Sequence, residues 1–184
     1  MWLAEQPSWW LEEVAVTVTD LHEPYRKALR THLPNAVAVA DPFHVVGVAN
    51  RALDNTRRRV QQETCGHRGR KGDPLYRSRK LLVLGEERLD PDGRARLETL
   101  LHAGDPNGEV YEAWGVKEAV RDLYTMWGDQ AGASRMLGLL IDYCATSAAS
   151  EIRGLARTLK QWRNPILAWH ETGHSNGPVE GLTR

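Results

Sequence analysis

Cysteine is scarce in this sequence of 184 residues, and so are the signals of secretion or membrane insertion. The two cysteines, Cys65 and Cys144, lie far apart, which argues against a disulfide framework and fits a reducing cytoplasm. No apolar run reaches the length that crosses a bilayer, and the first residues lack the basic start and apolar run of a signal peptide. We therefore expect a soluble cytoplasmic protein without a membrane partner.

The sequence also lacks net charge, because 24 Lys and Arg balance 24 Asp and Glu. This balance argues against a protein that binds polyanions with its whole surface, although it leaves room for a local basic patch. The G-x-S-x-G elbow, the Walker loop and the dinucleotide fingerprint are absent. The length suffices for one domain with a core, or for one domain with an insertion.

The first forty residues alternate between helical and strand patterns. Residues 1–12 resemble the end of a helix, and residues 14–19 (VAVTVT) alternate with the period-two spacing of a strand. Residues 24–33 predict a helix, because the leading proline suits a first turn and Pro34 ends the pattern. Residues 36–40 (AVAVA) predict a second, buried strand. A helical crossover between the strands would make them parallel, with right-handed connectivity.

Each predicted strand is followed by an aspartate. Asp20 comes directly after the first strand and Asp41 directly after the second. In open α/β sheets, ligands bind outside the carboxyl ends of the strands. We therefore expect both carboxylates to lie at the edge of the sheet where chemistry takes place.

The remainder of the chain predicts helices. An apolar helical stripe begins after His44 and continues to Val60, and residues 64–80, rich in Gly and Arg, predict a loop or frayed region. No strand signal is found between residues 89 and 162. Helical spacing recurs there in residues 90–101, with Asp90 as the predicted cap, and in residues 109–127, 130–143 and 152–162. We expect a mostly helical protein, with an all-α block inserted after an α/β unit.

Acidic residues at the strand ends and near the end of the chain suggest metal-dependent chemistry. Pro178 is well placed to begin a helix, which would carry Glu180 in its first turn. Carboxylates that converge from strand ends and a helix start can hold Mg²⁺ or Mn²⁺ through oxygen, and two such ions promote phosphoryl transfer. An aspartate after a strand is also a common helix cap, so the spacing alone is a weak signal.

Three stretches resemble one known family. They are T-D-L-H-E-P-Y around Asp20, L-P-N-A-V-A-V-A-D-P-F-H-V-V around Asp41 and His44, and H-S-N-G-P-V-E-G around Glu180. Together they resemble the ISL-three family of insertion-sequence transposases. The resemblance extends over residues 14–52 and 162–182, and D-P-F-H-V-V is its most specific part.

This resemblance implies a fold and an active site. Members of the family are Asp-Asp-Glu transposases with a ribonuclease H-like core and a helical insertion before the glutamate. On this likeness Asp20 is the second catalytic aspartate, and with Glu180 it is a ligand of Mg²⁺ or Mn²⁺. Asp41 and His44 match a D-x-x-H element that supports the active site. The alternative, in which Asp41 is the second catalytic aspartate, stays open.

The resemblance also implies a division of the chain and its partners. We predict a partial ribonuclease H-like core (helix-strand-helix-strand) at residues 1–48, an all-α insertion at 49–163, and a return to the core with the glutamate helix at 164–184. DNA is the implied partner, both at the transposon ends and at the target. A homodimer of the full-length protein and association with the nucleoid are implied as well.

A locally basic stretch lies in the predicted insertion. Its arginines and lysines would contact phosphates, each neutralised phosphate adding a salt-dependent increment to affinity. A solvated loop fits this composition equally well. The candidate DNA contacts are Arg57, Arg58, Arg59, Arg68, Arg70 and Lys71.

The family's first catalytic aspartate has no counterpart in the sequence, because its strand would precede Met1. The helix after Glu180 is cut short at Arg184. We therefore expect a fragment truncated at both ends, a transposase by descent with little or no activity alone. The alternative is a non-catalytic DNA-binding or interaction module left from a decayed transposase gene.

Overall fold

The computed structural model describes residues 2–177, so the helix predicted at Pro178 and its Glu180 lie outside the described residues. The chain forms two compact units. Residues 1–45, 123–138 and 159–184 belong to the first unit, and residues 46–122 and 139–158 belong to the second. The domain boundaries predicted at residues 48 and 163 stay predictions, because compactness alone does not define a domain.

Residues 2–177 are mostly helical and contain two short strands. In chain order the elements are α1 (Ser8–Glu13), β1 (Val16–Thr19), α2 (Glu23–His32), β2 (Val37–Ala40), α3 (Pro42–Cys65), α4 (Pro74–Val83), α5 (Pro91–Gly104), α6 (Glu109–Leu123), α7 (Gln130–Ala145), α8 (Ser150–Gln161) and α9 (Arg163–Thr172). Short 3₁₀ turns lie at Trp2–Glu5 and Glu86–Arg88. None of the described helices combines the length and apolar character needed to cross a membrane.

The first unit contains a small parallel sheet. β1 and β2 pair with Val16 opposite Val37 and Thr19 opposite Ala40, which confirms the predicted parallel arrangement. Helix α9 packs against β2, and Ile166 of this helix is fully buried. Within the described residues the sheet has two strands. Two strands do not establish a ribonuclease H-like core, which stays a prediction.

Helix α9 is missing from the sequence prediction, which assigns residues 164–184 only to a return to the core. Trp162 interrupts the helical backbone after α8, with ψ near 12°. The new helix then stops at Gly173, whose φ of 67° suits glycine and whose N–H donates to the Trp169 carbonyl at 2.8 Å. Because the helix follows α8 directly and only the break at Trp162 separates the two, its own apolar spacing is not recognised in the sequence.

In the second unit, the prediction of a loop or frayed region at residues 64–80 is wrong over most of that length. Helix α3 continues to Cys65, and α4 begins at Pro74, a residue that suits a first turn. Leu75, Ser78 and Leu82 are buried on one face of α4. Because cationic residues are interspersed along this short helix, the apolar spacing of its buried face is not recognised in the sequence. The loop is reduced to residues 66–73.

The core of the second unit is formed by leucine-rich helix faces. Helices α4 and α5 pack together, with Leu97 and Leu101 of α5 buried. Helix α5 begins at a cap, because the Asp90 carboxylate accepts from the Gly93 N–H at 2.7 Å. The predicted capping role of Asp90 is confirmed.

Candidate active site

Asp20 and Asp41 leave the sheet at the same edge. Thr19 lies opposite Ala40 in the last register position of the two parallel strands, so the following aspartates are neighbours. The backbone continues this pairing, because the Asp41 N–H donates to the Thr19 carbonyl at 3.1 Å. Neighbouring strands lie roughly 4.8 Å apart. This pairing therefore places the Asp20 and Asp41 carboxylates side by side at the carboxyl edge of the sheet.

The Asp41 carboxylate is buried and fully engaged. The residue is only 3% exposed. Its Oδ1 accepts from the Phe43 N–H at 2.9 Å, which caps the start of α3. Its Oδ2 accepts from the Asn176 N–H at 3.2 Å, although Asn176 is 135 residues away in the chain. Asp41 therefore joins the end of β2, the start of α3 and the segment that follows α9.

The Asp20 carboxylate is exposed and contacts His44. The Asp20 side chain is 47% exposed, and its Oδ1 lies 3.0 Å from His44 Nε2. His44 reaches it from the first turn of α3, the helix that Asp41 caps. Within residues 2–177, the second carboxylate oxygen of Asp20 has no partner. The two end residues of the D-x-x-H motif therefore have separate roles. The Asp41 carboxylate accepts from backbone N–H groups, and the His44 side chain contacts the Asp20 carboxylate.

An aromatic layer that the sequence did not assign to the site lies close to Asp41. Burial and, next, the negative charge of Asp41 raise the pKa of Tyr124 above its usual range. The Tyr124 ring stacks on His170 with an interplanar angle of 9°, and Trp169 meets Tyr124 edge-on. His170 Nδ1 lies 3.1 Å from the Met126 carbonyl. No sequence signal could have found this layer, because its members are far from Asp41 in the chain.

Two open cavities flank the pair of aspartates. One has a volume of about 420 Å³, and its lining includes Asp20, Tyr25 and Leu29. The other has a volume of about 310 Å³, and its lining includes Asp41, Phe43, Trp169 and Ser175. Each cavity adjoins one of the two carboxylates.

The donor chemistry distinguishes the two aspartates as ligands for a hard cation such as Mg²⁺. Asp20 fits, because it is half-exposed and one of its carboxylate oxygens has no partner among residues 2–177. Asp41 fits less well, because it is buried and each of its oxygens already accepts one backbone N–H. Within residues 2–177, no three His, Cys, Asp or Glu residues are grouped as a metal centre. Glu180, the second predicted ligand, lies outside the described residues.

The six predicted DNA contacts fall into two sets in the second unit. The first set lies within α3 and is paired internally. Arg57 is buried and bonds to Asp54 at 2.6 Å, and Arg58 bonds to the same carboxylate at 2.5 Å. Arg59 has three partners, which are Glu63, Glu109 and Glu151, at 3.0, 2.5 and 2.9 Å. The hydrogen bonds that Arg59 donates to Glu109 and, next, to Glu151 raise the pKa of Arg59 further above its usual range.

The second set, Arg68, Arg70 and Lys71, is exposed on the loop of residues 66–73. None of the three forms an ion pair with a described residue. Asp73, the acidic residue of the loop, accepts through Oδ2 from Gln61 Nε2 of α3 at 2.9 Å and from the Arg70 backbone N–H. Its other neighbour is His67, at 3.5 Å. The three cationic side chains of the loop are therefore exposed, while the Asp73 carboxylate is engaged in hydrogen bonds within the second unit.

Comparison with known proteins identifies the family. The ISL3 (ISL-three) family of the Asp-Asp-Glu group, described as "Transposase", matches residues 1–184. The transposase for insertion sequence element IS1001 from Bordetella parapertussis is 27% identical over 175 residues, which cover 93% of this chain. The chain spans 41% of the length of that relative. No solved structure matches the chain significantly. Because the family match covers the whole chain, the protein belongs to the ISL3 family of transposases.

Proposed function

We propose that this chain contributes the second aspartate and the glutamate to a transposase active site. The reaction is Mg²⁺- or Mn²⁺-dependent cleavage of a phosphodiester, followed by strand transfer between transposon ends and target DNA. The observation that carries the proposal is the exposed Asp20 carboxylate, held by His44 at the carboxyl edge of two parallel strands. The activity of a whole transposase is part of the proposal, because the chain spans 41% of its relative.

In this proposal the acidic residues have different roles. Asp20 and Glu180 are the metal ligands, and the bound ions activate the attacking water or 3′-hydroxyl and stabilise the leaving oxygen. His44 holds Asp20 in place through the 3.0 Å contact. Asp41 holds Asn176, which precedes Glu180 by four residues. The engagement of both Asp41 oxygens favours Asp20 over Asp41 as the second catalytic aspartate.

Substitution of the proposed ligands tests this function. We expect Asp20→Asn and Glu180→Gln each to lower Mg²⁺-dependent nicking of DNA by at least about 100-fold, because a lost ligand removes several kcal/mol of transition-state stabilisation. Mn²⁺ binding, measured by water-proton relaxation, should weaken in the same variants. Mn²⁺ binding is measured on the purified chain. Nicking of supercoiled DNA is measured on the chain joined to a family segment that supplies the first catalytic aspartate, because little or no nicking is expected of the chain alone.

The matched control is Asp92→Asn, which neutralises an exposed carboxylate on α5. This variant should keep the metal binding and nicking of the unmodified chain. Nicking that survives in Asp20→Asn and Glu180→Gln would refute the assignment of the ligands. A chain that does not bind Mn²⁺, and that does not nick DNA when the first aspartate is supplied, would contradict catalysis and leave the non-catalytic module as the function.

DNA binding by the second unit is proposed from the loop of residues 66–73. The three outward cations, Arg68, Arg70 and Lys71, support phosphate contact whether or not the chain is catalytic. Arg57 and Arg59 support it less, because internal carboxylates already neutralise them. The loop therefore supports DNA binding both in the catalytic proposal and in the alternative of a non-catalytic DNA-binding module.

Removal of the loop cations should weaken DNA binding in a salt-dependent way. For the triple variant Arg68→Ala, Arg70→Ala, Lys71→Ala, we expect the slope of log affinity against log salt to decrease by about 0.9 for each phosphate that the protein no longer neutralises. Fluorescence anisotropy with duplex DNA at several salt concentrations measures this slope. Arg96→Ala, an exposed arginine on α5, should leave the slope nearly unchanged. Equal slopes for the triple variant and the unmodified chain would exclude the loop from the DNA-binding surface.

A further inference from the structure

Phe43 is an aromatic residue exposed beside the two aspartates. It is 73% exposed, although it follows the buried Asp41 by only two positions. Its backbone is held by the Asp41 carboxylate at 2.9 Å, and its ring meets His44 edge-on with centroids 5.7 Å apart. A single exposed apolar residue is ordinary on a protein surface. Phe43 becomes informative because its position is fixed and because it lines a cavity.

The cavity that Phe43 lines has a second aromatic wall. Trp169 lines the same space of about 310 Å³, together with Pro42 and Ser175. The Trp169 ring is held by edge-on contacts with Tyr124 and His170, at centroid distances of 5.2 and 5.1 Å. Among residues 2–177 the Ser175 hydroxyl has no hydrogen-bond partner, and a serine hydroxyl can both donate to and accept from a ligand. The cavity combines two positioned rings with one available polar group.

We propose that this cavity binds an unpaired nucleobase of the DNA on which the transposase acts, stacked on Phe43 and Trp169. The inference rests on the proposed function, because it takes DNA to be the substrate. Aromatic side chains bind single-stranded bases by stacking, with little dependence on sequence. Enzymes that modify a base turn it out of the duplex into a pocket, where it stacks between aromatic or apolar side chains. The volume is near the lower end of the range for small-ligand cavities, which suits one base.

The position of the cavity links the bound base to the reaction. His44 directly follows Phe43 in the chain and contacts the exposed Asp20 carboxylate at 3.0 Å. A base stacked on Phe43 would therefore belong to a nucleotide close to the phosphodiester that is cleaved at the proposed metal site of Asp20. The hydrogen-bonding edge of the base would lie within reach of the Ser175 hydroxyl. The stacked base would position the DNA strand without taking part in the chemical step.

The test uses single-stranded DNA that carries one 2-aminopurine, whose fluorescence falls when it stacks on an aromatic ring. The chain is titrated in EDTA, so that metal-dependent chemistry does not contribute. We expect quenching with the unmodified chain, and for Phe43→Leu we expect loss of quenching with affinity lowered by about 5- to 150-fold. Phe43→Tyr, which keeps the ring, should restore quenching. Circular dichroism confirms that the exposed position tolerates both substitutions.

Tyr25→Leu is the matched control. Tyr25 is also exposed, at 61%, but it lines the neighbouring cavity beside Asp20. It should leave the quenching unchanged. The proposal is overturned if the unmodified chain gives no quenching, if Phe43→Leu quenches normally, or if Tyr25→Leu alone abolishes it. Failure of the metal-dependent function is measured separately, by nicking in Mg²⁺ with Asp20→Asn, and does not alter the fluorescence result.

Discussion

Replacing Lys117 with alanine is expected to lower the free energy of unfolding by about 3–5 kcal/mol, the loss typical of removing one member of a buried ion pair. Lys117 lies in α6 and is fully buried. Its Nζ donates to the carbonyls of Leu82 and Leu84, at 2.9 and 2.6 Å, and pairs with Glu118. These carbonyls lie at the end of α4, where no intrahelical donor is available. The alanine variant would leave both carbonyls without this donor, and the largely buried Glu118 carboxylate would keep Arg121, at 3.4 Å, as its ion-pair partner among the described residues.

Two further variants separate the contributions of charge and volume. Lys117→Met fills the space but donates no hydrogen bond, so we expect about half of the loss seen with alanine. Lys160→Ala, which removes an exposed lysine from α8, should change stability by less than about 0.5 kcal/mol. Urea unfolding measures all three. A Lys117→Ala variant as stable as Lys160→Ala would show that the buried contacts contribute nothing.

The buried lysine also predicts a pH dependence. Desolvation by burial, opposed by the hydrogen bond with Glu118, lowers the pKa of Lys117 below its ordinary value of 10.5. Between the lowered pKa and 10.5, the unfolded chain binds more protons than the folded chain, so stability increases as pH rises. The Lys117→Met variant lacks this pH-dependent contribution to the free energy of unfolding. The stability of the unmodified chain relative to Lys117→Met should therefore increase toward pH 10.5 and decrease toward neutral pH.

Replacing Asp41 with alanine is expected to lower the free energy of unfolding by about 2–4 kcal/mol, because a helix cap and a second charged hydrogen bond are lost together. The cap is the bond from the Phe43 N–H, and the second bond comes from the Asn176 N–H. Asp41→Asn should cost less, because its amide oxygen keeps the cap while its NH₂ group cannot accept from Asn176. Nicking should nevertheless fall in Asp41→Asn if Asn176 positions Glu180.

Asp90→Ala is the matched control for the cap alone. Asp90 is exposed and caps α5 through one bond of 2.7 Å to the Gly93 N–H. We expect this variant to lose about 1 kcal/mol. The excess loss in Asp41→Ala then measures the Asn176 bond and the burial of Asp41. Equal losses in the two variants, determined by thermal and urea unfolding, would contradict the role of Asp41 in holding the segment after α9.

The long helices, the two strands and their parallel pairing could be predicted from the sequence because local periodicity and chain connectivity determine them. The alternation in residues 14–19 and 36–40 identifies strands whether or not the rest of the chain is considered. The two aspartates at one edge then follow from the helical crossover between the strands. Short elements are harder, since α4 and α9 have ten residues each and carry charges or a break within their pattern.

Sequence by itself determined that acidic and histidine side chains would gather at one edge of the sheet, but only the tertiary structure decided what each of them does. Asp20 and Asp41 occupy equivalent positions after their strands, yet Asp41 is buried and accepts a hydrogen bond from Asn176, 135 residues away, whereas Asp20 is half-exposed. The same holds for the arginines, where Arg59 is neutralised by Glu109 and Glu151, while Arg68 remains exposed. Burial and hydrogen-bond partners arise from contacts between distant segments, which the order of residues along the chain does not reveal.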